Sequence, residues 1–210
     1  MNDEEFSWFI APSSSPIVPT APLKLRTFIA VSIPEDIRTR AVGVAKQLAA
    51  IAPDVKWVEP QSLHWTLQFL GNVEQREIGD VCAAVAEVAL EHEPFDLQIR
   101  GAGAFPSPDR PRTLWLGVGA GYDQMIALQA SIEKSLEPLG FRGEARRYTP
   151  HLTIGRPGRG EPPHELATEL AALADFHGGS MLVDEVTVYS SELTREGPIY
   201  APLGFAPLGA

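Results

Sequence analysis

Two short stretches of the chain each carry a histidine and a threonine two residues apart. His64 and Thr66 form the first pair, and His151 and Thr153 form the second. Both pairs lie in apolar runs typical of β-strands, and residues two apart in a strand project from the same face. Each imidazole is therefore expected beside a hydroxyl, while the residues between and after them point into a core.

Two imidazoles and two hydroxyls in one site suit acid–base chemistry on an anion. Near neutral pH, a neutral histidine can take a proton from a nucleophile and a protonated histidine can give one to a leaving group. A threonine hydroxyl can donate a hydrogen bond to an oxygen that carries negative charge. This set describes a phosphodiester or a cyclic phosphate better than a carboxyl ester. The spacing leaves open which histidine is the acid.

The sequence lacks the motifs of serine hydrolases, zinc peptidases and P-loop nucleotidases. It contains no Gly-x-Ser-x-Gly elbow, no His-Glu-x-x-His metal motif and no Gly-x-x-x-x-Gly-Lys-Ser/Thr loop. We therefore expect catalysis without a metal or another cofactor. The other three histidines, His92, His164 and His177, lack such a context, and we predict that they lie at the surface or at helix ends.

The charge of the chain excludes one class of function and leaves another open. The 210 residues carry a formal net charge of -10, which argues against non-specific coating of nucleic acid. An enzyme that acts on one phosphate at a polynucleotide end remains compatible with this charge. Arginines also concentrate around the second His-Thr pair, where they predict local attraction of phosphate: Arg142, Arg146, Arg147, Arg156 and Arg159.

The compartment follows from the cysteine count and the hydropathy. The single cysteine, Cys82, excludes an intramolecular disulfide and is interpreted as a small buried hydrophobe. No apolar run approaches the roughly 20 residues that span a bilayer, and the N-terminus is acidic where a secretory signal needs positive charge. We expect a cytoplasmic monomer that does not associate with membranes.

The order of predicted elements indicates an α+β fold. Residues 1–23 are rich in serine and proline and are predicted to form a flexible tail, followed by one bilobal domain over residues 24–210. Strands joined by short turns favour mainly antiparallel sheets with outer helices. The two His-Thr stretches occupy comparable places in two similar halves, which predicts a cleft between two lobes. We predict strands at 25–33, 55–58, 63–71, 95–103, 113–118, 181–191 and 199–205, helices at 34–52, 73–92, 122–139 and 163–174, and a turn at 178–180.

These motifs resemble a known family. One His-x-Thr-x motif in each half is the mark of the two-histidine (2H) phosphoesterase superfamily. The stretch from Trp57 to Gly71, with Arg26 to Ala30 before it and Tyr148 to Arg156 in the second half, resembles the bacterial RNA 2′,3′-cyclic phosphodiesterases, the LigT-like or 2′-5′ RNA ligase family. The resemblance extends over about residues 25–205.

The resemblance implies a fold and an activity. The fold would be two antiparallel sheets that form a V-shaped groove with helices outside. The activity would be metal-independent opening of a terminal 2′,3′-cyclic phosphate to a 2′-phosphate, and some relatives also run the reverse 2′-5′ RNA ligase reaction. By resemblance, His64 would donate a proton to the departing 3′ oxygen, His151 would accept one from water, and Thr66 and Thr153 would hold the phosphate.

Four further residues are weaker candidates for contacts with the substrate. Arg156 pairs either with a phosphate oxygen or with a structural carboxylate. Tyr148 lines the groove or is an ordinary strand aromatic. Phe28 stacks on a base or packs in the core. Arg112 is the weakest candidate of the four.

Four alternatives to hydrolysis of RNA with a 2′,3′-cyclic phosphate end remain open from the sequence. The substrate could be a small cyclic nucleotide or a cyclic phosphate of an ADP-ribose derivative, and the reaction could be the 2′-5′ ligation of tRNA halves. The fourth alternative is a module that binds RNA ends or nucleotides without catalysis. The presence of both histidines and both threonines disfavours this last alternative.

Overall fold

The structure is a computed structural model, and it describes residues 23–143, 146–158, 160, 162–195 and 197–209. The predicted tail lies outside the described residues apart from Leu23. Nine β-strands and four α-helices are found within the described part: β1 (Lys24–Ser32), α1 (Glu35–Ala49), β2 (Lys56–Trp57), β3 (His64–Glu74), α2 (Ile78–Ala89), β4 (Phe95–Phe105), β5 (Thr113–Val118), α3 (Tyr122–Leu136), β6 (Leu152–Arg156), α4 (His164–Ala172), β7 (His177–Val183), β8 (Glu185–Leu193) and β9 (Pro198–Pro207).

The strands form two halves that meet at a narrow joint. Their order is β7-β4-β5-β6-β3-β1-β8-β9, with β2 beside β6, and every pairing is antiparallel. The halves are joined by a single residue pair, Trp65 of β3 with Leu152 of β6. The two predicted sheets are therefore one continuous sheet that narrows at the His-Thr stretches. The predicted α+β class with antiparallel strands and outer helices is confirmed.

Two of the four described α-helices, α1 and α3, pack against the half of the sheet that does not contain the strand before them. Helix α1 follows β1 in sequence but packs against β6 and β7, and α3 follows β5 but packs against β3 and α2. Helix α2 covers β8 and β9, and α4 covers β4. Each half of the sheet is therefore covered partly by a helix that follows a strand of the other half. This exchange of helices holds the two halves together at the Trp65–Leu152 pair.

The core lies behind the two His-Thr stretches. Trp65, Leu67, Leu152 and Ile154 are all buried, which confirms the predicted direction of these side chains. They pack in one cluster with residues of α1, α2 and α3. Burial of large apolar side chains contributes roughly 1.5–3 kcal/mol each, so core packing holds both His-Thr strands in place.

The predicted start of the second helix is wrong. Residues 73 and 74 extend β3, where they pair with Leu25 and Lys24 of β1, and α2 begins only at Ile78. The strand continues through Gly71, whose φ of 72° lies in the left-handed region that glycine adopts without strain. The buried side chain of Val73 belongs to the sheet and not to a helix face.

The predicted turn at residues 178–180 is also wrong. These residues lie inside β7, where Gly179 and Ser180 pair with Ile99 and Gln98 of β4 and the register shifts at Gly178. A Cβ atom on Gly178 would lie 2.6 Å from the side chain of Ile99. The glycine therefore allows a close approach between packed residues, where the sequence pattern alone indicated a chain reversal.

Candidate active site

The strand register brings the two His-Thr pairs together on one face. Trp65 and Leu152 are paired and both point into the core. Continued one residue in each direction, this antiparallel register sets His64 opposite Thr153 and Thr66 opposite His151. Directly opposed residues of antiparallel strands share a face. The four side chains thus form an arrangement with approximate two-fold symmetry, on the face opposite the core.

The backbone fixes the tautomer of both imidazoles in the same way. Nδ1 of His64 lies 2.8 Å from the carbonyl oxygen of Ser62, and Nδ1 of His151 lies 2.8 Å from the carbonyl oxygen of Thr149. A carbonyl oxygen can only accept, so Nδ1 of each ring carries the proton and donates it. The Nε2 atom of each neutral ring is then the one able to take up a proton.

His64 is surrounded by aromatic rings. The ring of Phe28 lies 4.8 Å away and that of Tyr200 lies 5.3 Å away in an edge-on arrangement. The pKa of His64 is lowered to about 4, mainly by burial; the hydrogen bond to Ser62 opposes this shift, and the nearby charges of Arg156 and His151 add to it. In the protein without substrate, this imidazole is neutral at pH 7.

We expect the pKa of His64 to respond to an anion in the site. In the free protein the ring should titrate near pH 4, and bound phosphate should raise that pKa because its charge offsets Arg156 and favours the imidazolium. A pKa below the roughly 6.5 of an unfolded chain also means that stability falls as the pH drops from about 6.5 towards 4. NMR titration of the His64 ring, with and without inorganic phosphate, measures both values; a free-protein titration near pH 6.5 would contradict the expectation.

The environment of His151 is related to that of His64 but is not identical. Phe105 contacts the ring edge-on at 5.0 Å, whereas the ring of Phe28 is tilted against that of His64. A cavity of about 320 Å³ next to His151 is lined by Thr66, Phe69, Phe105 and Tyr148, among others. The cleft beside His64 is larger, about 560 Å³, and Thr66 and Phe69 line both spaces. Thr66 therefore stands where the two spaces meet.

The cleft beside His64 is locally basic despite the acidic chain. Arg26, Lys56 and Arg156 line it together with one carboxylate, Glu59. None of these three cations takes part in a salt bridge between described residues. Their charges are therefore available to an anionic ligand, and an anion in this cleft meets positive potential.

Comparison with known proteins identifies the family. Residues 34–195 match the model of the 2′-5′ RNA ligase superfamily. The chain belongs to this superfamily. An RNA 2′,3′-cyclic phosphodiesterase of Methanothermobacter thermautotrophicus is 38% identical over 181 residues, which cover 86% of this chain and 97% of the relative. One of Archaeoglobus fulgidus is 35% identical, with 85% and 98% covered. The predicted family is confirmed, and the protein is an enzyme of a phosphodiesterase family.

Solved structures of this superfamily agree with the fold. TT0787 of Thermus thermophilus superposes with a TM-score of 0.73 at 27% identity, covering 88% of this chain and 98% of that one. Escherichia coli LigT in complex with 3′-AMP superposes with a TM-score of 0.72 at 24% identity, covering 90% and 100%. The second likeness shows the fold alone.

The weaker candidates occupy different places within this superfamily fold. Arg156 is exposed at the end of β6 and lines the cleft. Phe28 lines the cleft too, but only 3% of its surface is exposed and it packs on His64 and Tyr189. It therefore supports the imidazole and offers little surface for a stacked base. Arg112 lies outside the cleft.

Tyr148 has a partner in the backbone of the first motif. Its hydroxyl donates a hydrogen bond to the carbonyl oxygen of Thr66 at 3.0 Å, and burial raises the pKa of the phenol well above its usual range. The ring lines the cavity on the His151 side. Tyr148 therefore ties the segment before His151 to the strand that carries Thr66.

The sequence did not identify several aromatic residues of the site, among them Tyr200 and Phe69. Tyr200 lies on β9, far along the chain from either motif, and reaches His64 only through the pairing of β9 with β8 and of β8 with β1. Phe69 is 48% exposed because β3 bulges against β1: Thr66 pairs with Ala30 but Gln68 pairs with Ile29. The bulge turns Phe69 outwards. Neither the long-range strand pairing nor the bulge leaves a local signal in the sequence.

Proposed function

We propose that the protein hydrolyses the terminal 2′,3′-cyclic phosphate of RNA to a 2′-phosphate by acid–base catalysis with two histidines. The observation that carries the proposal is the paired geometry: two imidazoles with the same backbone-fixed tautomer, each opposite a threonine across the β3–β6 joint. The names of the relatives support the choice of substrate. The cationic side chains that line the cleft support an anionic substrate.

In the proposed reaction, Nε2 of His151 takes a proton from a water molecule whose oxygen attacks phosphorus. The bond between phosphorus and O3′ breaks, and Nε2 of His64 gives its proton to O3′. Thr66, Thr153 and Arg156 stabilise the charge on the non-bridging oxygens. Exchange with solvent then returns both rings to their starting states.

The low pKa of His64 sets a condition for this assignment. The ring is neutral in the free protein, so it must gain its proton when the anionic phosphate binds. The approximate two-fold symmetry allows the reverse assignment, in which His64 is the base. Following the His151 ring as well as the His64 ring in the NMR titration with phosphate separates the two assignments: the ring that gains a proton in the complex is the acid.

The described residues provide no metal site. Among the residues that the structure describes, no group of three histidine, cysteine, aspartate or glutamate side chains could hold a metal ion. We therefore propose a metal-independent reaction. The threonines and the cationic side chains stabilise the negative charge on the phosphate, as a bound metal ion does in metal-dependent phosphodiesterases.

The direct test is product analysis with an oligoribonucleotide that ends in a 2′,3′-cyclic phosphate. We expect a 2′-phosphate and no 3′-phosphate, with a rate unchanged by EDTA and a bell-shaped dependence on pH. Formation of a 3′-phosphate would show that the other bond breaks. Complete loss of activity on chelation would instead show a metal enzyme.

The same site suits two extensions of this reaction. The 560 Å³ cleft is large enough for a mononucleotide, which makes a small 2′,3′-cyclic nucleotide the second candidate substrate. The cavity beside His151 leaves room for a nucleoside whose 5′-hydroxyl attacks in place of water. That step would form a 2′-5′ phosphodiester and release the 3′-hydroxyl.

No helix among the described residues is long and apolar enough to cross a membrane.

A further inference from the structure

A third and larger concavity follows the cleft beside His64 along the chain, and we call that cleft the catalytic cleft. It has a volume of about 1120 Å³ and is lined on one side by residues 108–112, from the β4–β5 loop. Pro157, Gly158 and the start of α4 line the other side. We call this space the outer groove. None of the residues given a role in the proposed reaction lines it.

Both sides of the outer groove begin next to catalytic residues. Arg156 lines the catalytic cleft, and the next residue, Pro157, lines the outer groove. On the other side, the backbone N–H of Arg112 donates to the carbonyl of Phe105 at 2.7 Å, and Phe105 contacts His151. Each side of the outer groove is therefore joined to the site, by the peptide bond between Arg156 and Pro157 on one side and by the hydrogen bond between Arg112 and Phe105 on the other.

The charge of the outer groove suits a polyanion. Arg110 and Arg112 are exposed, and neither takes part in a salt bridge between described residues. Asp109 is the one carboxylate among the described lining residues. Together with the cations of the cleft, these arginines extend positive potential away from the histidines, on a chain whose net charge is -10. A nucleic acid strand carries one negative charge per phosphate, so such a path attracts it.

The groove wall is also fixed before any ligand binds. Backbone hydrogen bonds join Arg110 to Ser107 at 3.2 Å and Arg112 to Phe105 at 2.7 Å. Pro108 and Pro111 restrict the loop between them. The two arginines therefore project from a shaped loop, which lowers the ordering cost of binding.

We propose that the outer groove binds the RNA strand immediately 5′ of the cyclic phosphate, with Arg110 and Arg112 contacting its phosphates. The inference rests on the proposed function for the identity of the reacting end. A 2′,3′-cyclic phosphate terminates a strand, so the polynucleotide continues only on its 5′ side. The groove thereby makes the enzyme select oligonucleotides over cyclic mononucleotides.

The test compares kcat/KM for a 2′,3′-cyclic mononucleotide with kcat/KM for oligoribonucleotides of two to eight nucleotides that end in the same cyclic nucleotide. For the wild type, kcat/KM should rise over the first few nucleotides added. The variant Arg110→Ala/Arg112→Ala should lose roughly tenfold on the longer substrates, mainly through KM, and nothing on the mononucleotide. The slope of log kcat/KM against log salt for oligonucleotides should become shallower by about 1.4, for two lost contacts to a single strand.

The control variant is Arg40→Ala/Lys46→Ala, which removes the same charge from exposed positions of α1, away from both grooves. It should keep the wild-type dependence on length. Equal kcat/KM for mononucleotide and oligonucleotides in the wild type would overturn the inference and leave the proposed function intact. An equal loss on all substrates in the arginine variant would overturn it too. Failure of the wild type to open any cyclic phosphate would remove the proposed function and the inference with it.

Discussion

His64→Ala and His151→Ala should each lower kcat on a 2′,3′-cyclic phosphate by at least about 100-fold. A positioned acid or base typically contributes 10²–10⁴-fold, and a factor of 100 corresponds to about 2.7 kcal/mol in the activation barrier. The imidazoles lie on the face of their strands that is opposite the core, and the core packs on the other face. Both variants should therefore fold, which circular dichroism and thermal unfolding check.

A substrate with an acidic leaving group distinguishes the two roles. In 3′-deoxyadenosine 2′-(4-nitrophenyl phosphate), the departing nitrophenolate needs no proton, so a general acid is dispensable. His64→Ala should regain most of its lost rate on this compound, while His151→Ala should remain impaired because water still needs a base. Rescue of the His151 variant instead would reverse the assignment. A near-wild-type rate for either variant on the cyclic substrate would falsify acid–base catalysis by that residue.

The two His-Thr pairs could be predicted from the sequence because each pair depends only on the local geometry of one strand. Residues at i and i+2 of a strand share a face whatever the strand pairs with, so His64 and Thr66 had to project together. The same rule correctly placed Trp65 and Leu152 in the core. The hydrogen bonds from Nδ1 to the carbonyl two residues earlier are local as well, which explains why they recur in both motifs.

The relation between the half-sites could not be predicted in the same way. It depends on the pairing of Trp65 with Leu152, and hydrophobic periodicity does not encode the register of strands so far apart in sequence. The comparable places of the two motifs in the chain predicted a shared cleft, and the resemblance to a family added the V-shaped groove, but neither gave the residue pairing across the cleft. Tyr200 and Phe105 were missed for the same reason, since each reaches a histidine only through long-range strand pairing.

The outer groove shows a different limit of sequence reasoning. The proline and arginine content of residues 105–112 was visible, but such a loop is equally typical of an uninvolved surface connection. What gives it meaning is the hydrogen bond from Arg112 to Phe105 and the contact of Phe105 with His151. These two contacts connect the loop to His151.

Removal of the threonine hydroxyls should have the second-largest effect on turnover. Thr66→Val and Thr153→Val keep the shape of each side chain and remove one donor to the phosphate, so each should lower kcat/KM about 10- to 100-fold. Thr66→Ser and Thr153→Ser are the matched controls, because they keep the hydroxyl and should recover most of the rate. The hydrogen bond from Tyr148 to the Thr66 carbonyl holds the strand in place in these variants. Wild-type rates for both valine variants would show that neither hydroxyl binds the reacting phosphate.

The double variant tests whether the two threonines act on one phosphate. If Thr66 and Thr153 donate to the same group across the joint, their effects on kcat/KM should be coupled, and the double variant should depart from the product of the single losses. The approximate two-fold symmetry of the site makes this a specific expectation, since each hydroxyl lies beside the histidine of the opposite motif. Independent, strictly multiplicative losses would mean that the two strands hold different parts of the substrate. The reacting phosphate would then lie closer to one half of the site than the paired geometry indicates.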